Sequence, residues 1–120
     1  MAIFTTSFMQ VFKFGGASVK DANAVKNVAE VLKKFAINET IVVISAMGKT
    51  TNGLEELVNA YFNKTGDIES VLQKIKEYHF TLIKELFPDK THSIYNEIEN
   101  TFVEINWMVE EEPVSNYNQV

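Results

Sequence analysis

Two short stretches of this sequence carry the residue types that could do chemistry. The first is Lys13-Phe14-Gly15-Gly16-Ala17-Ser18. It follows an alternating segment that reads as a strand, and its glycine pair permits a tight turn and close backbone approach. If a helix opens directly after the turn, its first amides have no intrahelical partners and lie at the positive end of the helix dipole. That arrangement can hold a phosphate. The Lys13 ammonium would neutralise charge developing on a transferring phosphoryl group, and the Gly15 and Gly16 amides would receive its oxygens. The same residues equally make a plain strand-turn-helix connection with a solvated lysine. The second stretch is Ser45-Ala46-Met47-Gly48-Lys49-Thr50-Thr51-Asn52, directly after the run Ile41-Val42-Val43-Ile44. Ligands of open α/β sheets bind outside the carboxyl ends of the strands. Small residues and hydroxyls there suit a small polar substrate, with Thr51 near a helix start able to meet a carboxylate. A helix-capping loop rich in Ser, Thr and Asn has the same composition.

Familiar alternatives fail on spacing. Gly48-Lys49-Thr50 imitates the end of a P-loop, but the leading glycine would have to stand where Val43 is. No glycine follows Gly15-Gly16 at the interval a dinucleotide fingerprint needs. His79 and His92 are far apart in sequence and have no carboxylate cluster, so no metal site is expected. Trp107 reads as packing at the core or its rim, and Glu110-Glu111-Glu112 as a solvated helix end.

The elements that must position these loops follow from periodicity. Phe8 to Phe14 alternates, with Phe8, Gln10, Phe12 and Phe14 on one face and Met9, Val11 and Lys13 on the other. Ser18 with Asp21 resembles a capping box, after which Val25, Val28, Ala29, Leu32 and Phe35 recur at helical spacing. Ile41 to Ile44 is β-branched without polar alternation, the signature of a strand covered on both faces in a parallel sheet. These segments make a βαβ unit. Beyond the second loop, Asn52 is a plausible cap for a short helix carrying Leu54, Leu57, Val58 and Tyr61. Two longer helices are expected from Ile68 to Pro88 and from Ser93 to Glu110, paired as an αα-hairpin. Two strands alone are marginal in water. The pattern of the second strand therefore calls for further strands and helices beyond Val120, or from a partner chain.

Composition narrows the function classes. The chain has 120 residues, 46% of them hydrophobic, and no cysteine. A core needs no staples at this length, and disulfides, thiolate metal sites and cysteine nucleophiles are excluded. The absence of cysteine suggests a reducing cytoplasmic compartment. All 11 positive charges are lysines against 16 acidic residues, a net charge of -5. This argues against capture of nucleic acid or of an anionic membrane surface. No apolar run approaches the roughly 20 residues that span a bilayer. Residues 1–8 read as an N-terminal extension, without the basic flank and apolar stretch of a secretory signal.

Taken together, Lys-Phe-Gly-Gly-Ala-Ser-Val and Val-Val-Ile-Ser-Ala, with Thr51-Asn52 beginning six residues after Ser45, resemble the start of an aspartate kinase of the amino-acid kinase superfamily. The resemblance implies an α/β fold, the three-layer α/β/α type of carbamate kinase, with residues 9–120 as the N-terminal part of its catalytic domain. It implies ATP-dependent phosphorylation of the side-chain carboxylate of L-aspartate to 4-phospho-L-aspartate, the first step of lysine, threonine and methionine biosynthesis. Mg2+ would be carried on the ATP phosphates, and the full-length enzyme would be a homo-oligomer. By resemblance Lys13 is catalytic and binds the transferring phosphates, with Gly15, Gly16 and Ser18 around them. Ser45 and Thr51 contact aspartate, with Ala46 and Asn52 beside them. Ala17 stands where the family usually has threonine, which removes a hydroxyl from the phosphate loop but keeps its amide. The family's Gly-Glu element and later nucleotide-binding segments have no counterpart within these residues, so the chain alone is expected to be inactive. Two other readings stay open: a different carboxylate or carbamate kinase of the superfamily, and a noncatalytic module whose amphipathic helices bind a partner.

Overall fold

The structure, a computed structural model, describes residues 8–113. Of the expected extension only Phe8 falls within them. The chain divides into two compact units, 1–49 and 50–120.

The first unit is the expected βαβ. Strand β1 spans Gln10–Phe14, a 3-10 turn spans Gly16–Val19, helix α1 spans Ala22–Phe35 and strand β2 spans Thr40–Ile44. The strands are parallel and in register, from Gln10 opposite Thr40 to Phe14 opposite Ile44. Gln10 locks the base of the pair. Its backbone N–H donates to the Glu39 carbonyl at 2.8 Å, and its side-chain Oε1 accepts from the Ile37 N–H at 3.1 Å and the Asn38 N–H at 3.2 Å. Its Nε2 donates to the Phe35 carbonyl at 3.0 Å. One amide side chain thus ties β1 to the end of α1 and to the connection into β2. Val19, Ala22 and Val28 are the buried side chains of this unit.

One expectation about this unit needs correction. The helix does not open at Ser18. The glycines lead instead into a single 3-10 turn, closed by the Ser18 N–H on the Gly15 carbonyl at 2.9 Å. α1 begins only at Ala22, where Asp21 is the cap and its Oδ1 accepts from the Ala24 N–H at 2.8 Å. A carboxylate at this position satisfies an orphan amide and favours the helix dipole, so the positive end of α1 belongs to Asp21 and not to the glycine turn. β2 is uncovered within this chain, in line with the expectation that its cover lies elsewhere: Ile41, Val42, Val43 and Ile44 are all exposed, because among the described residues the unit has one α-helix and the sheet two strands.

The second unit is three helices: α2 Thr50–Asn63, α3 Ile68–Leu86 and α4 Ile94–Glu110. α2 starts earlier than expected, so Asn52 lies inside its first turn and does not cap it. The turn into α3 uses left-handed backbone at Lys64 (φ 49°) and Gly66 (φ 82°), and Asp67 caps α3 through the Ser70 N–H at 3.2 Å. α3 stops before Pro88, where the Phe87 N–H donates to the Ile83 carbonyl at 2.8 Å. Leu57, Leu72, Ile75 and Phe102 form the core, with Ile68, Phe80, Ile98 and Ile105 packed against it. The core draws on all three helices, not on the α3–α4 hairpin alone. Trp107 is exposed, contrary to expectation. Five residues on from Phe102, it lies about 140° around the helix, away from the core stripe. At the end of α4, Glu112 pairs with Lys64 at 2.8 Å. The hydrogen bond, reinforced by the opposite charge, raises the Lys64 ammonium above its ordinary value. None of the described helices is long and apolar enough to cross a membrane.

Candidate functional site

Both chemically suggestive loops leave the carboxyl ends of neighbouring parallel strands, and register explains why they meet. With Phe14 opposite Ile44, the ladder continues one residue further: the Ser45 N–H donates to the Phe14 carbonyl at 2.9 Å. Ser45 therefore enters its loop directly beside the chain that becomes Gly15. Two residues beyond Phe14 the loops bond again, the Gly48 N–H donating to the Gly16 carbonyl at 3.1 Å. Gly48 itself turns through left-handed backbone, φ 53°.

Gly16 is the closest point of this junction. A Cβ placed on it would lie 2.7 Å from the Gly48 carbonyl oxygen and 3.2 Å from that of Ala46. Both obstacles are backbone, so neither can swing aside. Gly15 is different, since a Cβ there meets nothing within 4 Å. The glycine pair thus splits into one residue needed for contact between the loops and one that stands in open space. Sequence reasoning assigned both to phosphate contact and missed that Gly16 also welds the loops together.

Lys13 is exposed on the face of β1 shared with Val11, one residue before the end of the strand. Ala17 and Ser18 lie exposed on the 3-10 turn, and Ser45 and Ala46 are exposed at the mouth of the second loop. Within the first unit, then, Lys13, Gly15, Gly16, Ser18, Ser45 and Ala46 gather at one end of one strand pair. Thr51 and Asn52 are exposed in the first turn of α2, in the second unit. No cluster of three or more metal-ligating side chains stands among the described residues.

A residue for which sequence reading found no functional role touches the residue just before Thr51. His79 on α3 has its Nδ1 2.8 Å from the Ile75 carbonyl, an acceptor, so Nδ1 carries a proton. Its Nε2 lies 3.3 Å from the Thr50 hydroxyl at the start of α2. The ring also rests edge-on against Phe102 and Tyr78. Nothing in the local sequence signals this contact, because the partners are 29 residues apart.

The sequence profile described as amino acid kinase family matches residues 9–102, a span containing both loops and most of the helical unit. The chain belongs to the amino acid kinase family. Relatives within it carry the name aspartokinase. The chain is 42% identical over 80 residues to aspartokinase 1, chloroplastic, of Arabidopsis thaliana, covering 63% of this chain and 14% of that protein. It is 30% identical over 102 residues to the aspartokinase of Chlamydia trachomatis, covering 85% of this chain and 22% of the relative. A shorter match to the aspartokinase of Corynebacterium glutamicum is 50% identical over 52 residues, 42% of this chain and 12% of that protein. The chain therefore spans between an eighth and about a fifth of these relatives. Family membership agrees with the mixed strand and helix content of the chain.

Proposed function

We propose that the chain forms the phosphate-contacting and part of the acceptor-contacting surface of an aspartate kinase with the three-layer fold of its family. The observation that carries this reading is the backbone junction of Gly16 with Ala46 and Gly48, which holds a lysine-glycine loop and a serine loop side by side at the carboxyl ends of parallel strands. A reaction joining two substrates needs two such adjoining surfaces. The relatives' name, aspartokinase, supports aspartate as acceptor.

In this mechanism Lys13 meets the transferring phosphoryl group and neutralises its growing charge, while the Gly15 and Gly16 amides and the Ser18 hydroxyl orient its oxygens. The family resemblance assigns aspartate contact to Ser45, Ala46, Thr51 and Asn52. The acceptor carboxylate, with a reference pKa of about 4, is ionised at neutral pH and attacks without a general base. Mg2+ carried on the ATP phosphates would supply further charge neutralisation beside Lys13. The product is 4-phospho-L-aspartate, which would feed synthesis of lysine, threonine and methionine. A cytoplasmic homo-oligomer remains part of the proposal.

The test is Lys13→Ala in the intact kinase polypeptide that carries this chain. Removing an electrostatic contact made in the transition state should lower kcat by about 100-fold or more, with the aspartate KM little changed. Unchanged turnover would remove Lys13 from the chemistry. Phosphorylation of acetylglutamate but not aspartate would instead replace the substrate assignment by that of a sister kinase.

A further inference from the structure

We infer that His79 is a positioning residue for acceptor binding: it clamps the first turn of α2, which carries Thr51 and Asn52. The inference rests on the proposed role of those two residues, but the clamp itself is observed without reference to any substrate.

Helix ends fray, and the first turn of a helix is its least constrained part. Here that turn is tied to α3 at two points. The Thr50 hydroxyl meets His79 Nε2 at 3.3 Å, and three residues later Gly53 sits so close that a Cβ would lie 3.1 Å from Ile75 Cγ1. His79 cannot turn freely to release its end. Its Nδ1 is bound to the carbonyl of that same Ile75, and its ring is braced by Phe102 of the core and by Tyr78. With Nδ1 as the protonated nitrogen, Nε2 is the acceptor and the Thr50 hydroxyl the donor. The chain of contacts runs from a buried aromatic core through an oriented imidazole to the residue immediately before Thr51. A side chain built only to fill space needs neither nitrogen placed in this way.

The experiment compares wild type with His79→Phe, His79→Gln and Thr50→Val in the intact kinase polypeptide. His79→Phe keeps a ring against Phe102 but removes both nitrogens, His79→Gln restores an acceptor near the Nε2 position, and Thr50→Val removes the hydroxyl at constant volume. Two readouts are taken. The first is hydrogen exchange of the Leu54 and Glu55 amides, whose helical bonds close the turn containing Thr50 and Thr51. The second is KM for the acceptor against kcat and KM for ATP.

His79→Phe and Thr50→Val should each speed exchange at Leu54 and Glu55 and raise the acceptor KM by about three- to tenfold, the worth of one hydrogen bond. The double variant should do no more than either alone, His79→Gln should recover most of the loss, and kcat and the ATP KM should stay within about twofold. Unchanged exchange would overturn the clamp. Faster exchange with an unchanged acceptor KM would overturn its role in positioning, as would a uniform loss of kcat, both KM values and Tm. If His79→Phe does not fold, Thr50→Val breaks the same hydrogen bond from the other side and decides the matter by the same two readouts. A wild-type enzyme that phosphorylates a different carboxylate would refute aspartate as substrate while leaving this test intact, with KM read for that acceptor.

Discussion

In the first unit the four apolar side chains of β2 are between 40% and 55% exposed, whereas Leu57, Leu72, Ile75 and Phe102 of the second unit are no more than 8% exposed. The two regions are similarly rich in aliphatic and aromatic residues, so composition does not cause the difference. Architecture does. Three amphipathic helices can turn their stripes toward one another and close a core among themselves. A two-stranded parallel sheet has two faces and two edges to satisfy, and a single crossover helix covers only part of one face. The unit that holds Lys13 and the paired loops is thus the one that depends on surroundings. The helical unit closes a core among its own helices and carries the start of α2.

The contrast can be broken most directly at Phe102. Phe102→Ala should lower unfolding free energy by about 3–5 kcal/mol in urea denaturation followed by helical circular dichroism. Val42→Ala on the open strand should cost less than about 1 kcal/mol. Equal costs would show that β2 is as well packed as the helical core. Next in size is the loop junction. Gly16→Val forces backbone apart and should destabilise by about 1–3 kcal/mol. In the intact kinase it should also lower turnover on the order of 100-fold by displacing both loops. Gly15→Ala, facing open space, should be far milder in both assays. Smaller still, Asp21→Ala should cost about 1 kcal/mol in thermal unfolding, and Ser18→Ala clearly less, since Asp21 holds the cap of α1. The least effect concerns the exposed turn before α4. The Thr91 hydroxyl and backbone N–H both donate to Asp89 and hold its carboxyl below the ordinary value. A depressed folded-state pKa contributes stability at neutral pH that is lost as pH falls through the carboxylate range. Thr91→Val should therefore reduce the acid dependence of Tm slightly and leave Tm above pH 7 lowered by a constant small amount.

Much of this was readable from residue order. The strand around Phe12, the helix carrying Val28, the β-branched strand and the stop at Pro88 are local patterns, each specified within a few turns of chain. The motif Lys13 to Val19 together with Ser45 to Asn52 pointed to the family that the profile match then established. The failures share a cause. Ser18 and Asp21 both suit a cap, and the 3-10 turn decided between them. Trp107 kept helical spacing but lay on the wrong side of α4, which only the packing of Phe102 reveals. His79 carried no local sign of its contact with Thr50, which the packing of α2 against α3 creates.

By itself the sequence determined the order and type of the main elements, the absence of thiol and guanidinium chemistry, and the two loops for which phosphate and acceptor contacts are proposed. Tertiary structure alone decided that Gly16 touches Gly48, that β2 lies open while the helices close on one another, and that His79 reaches Thr50. Secondary structure is encoded by neighbours three or four residues apart, so it is legible along the chain. Contacts between residues some thirty positions apart depend on strand register and helix packing, which no local pattern records.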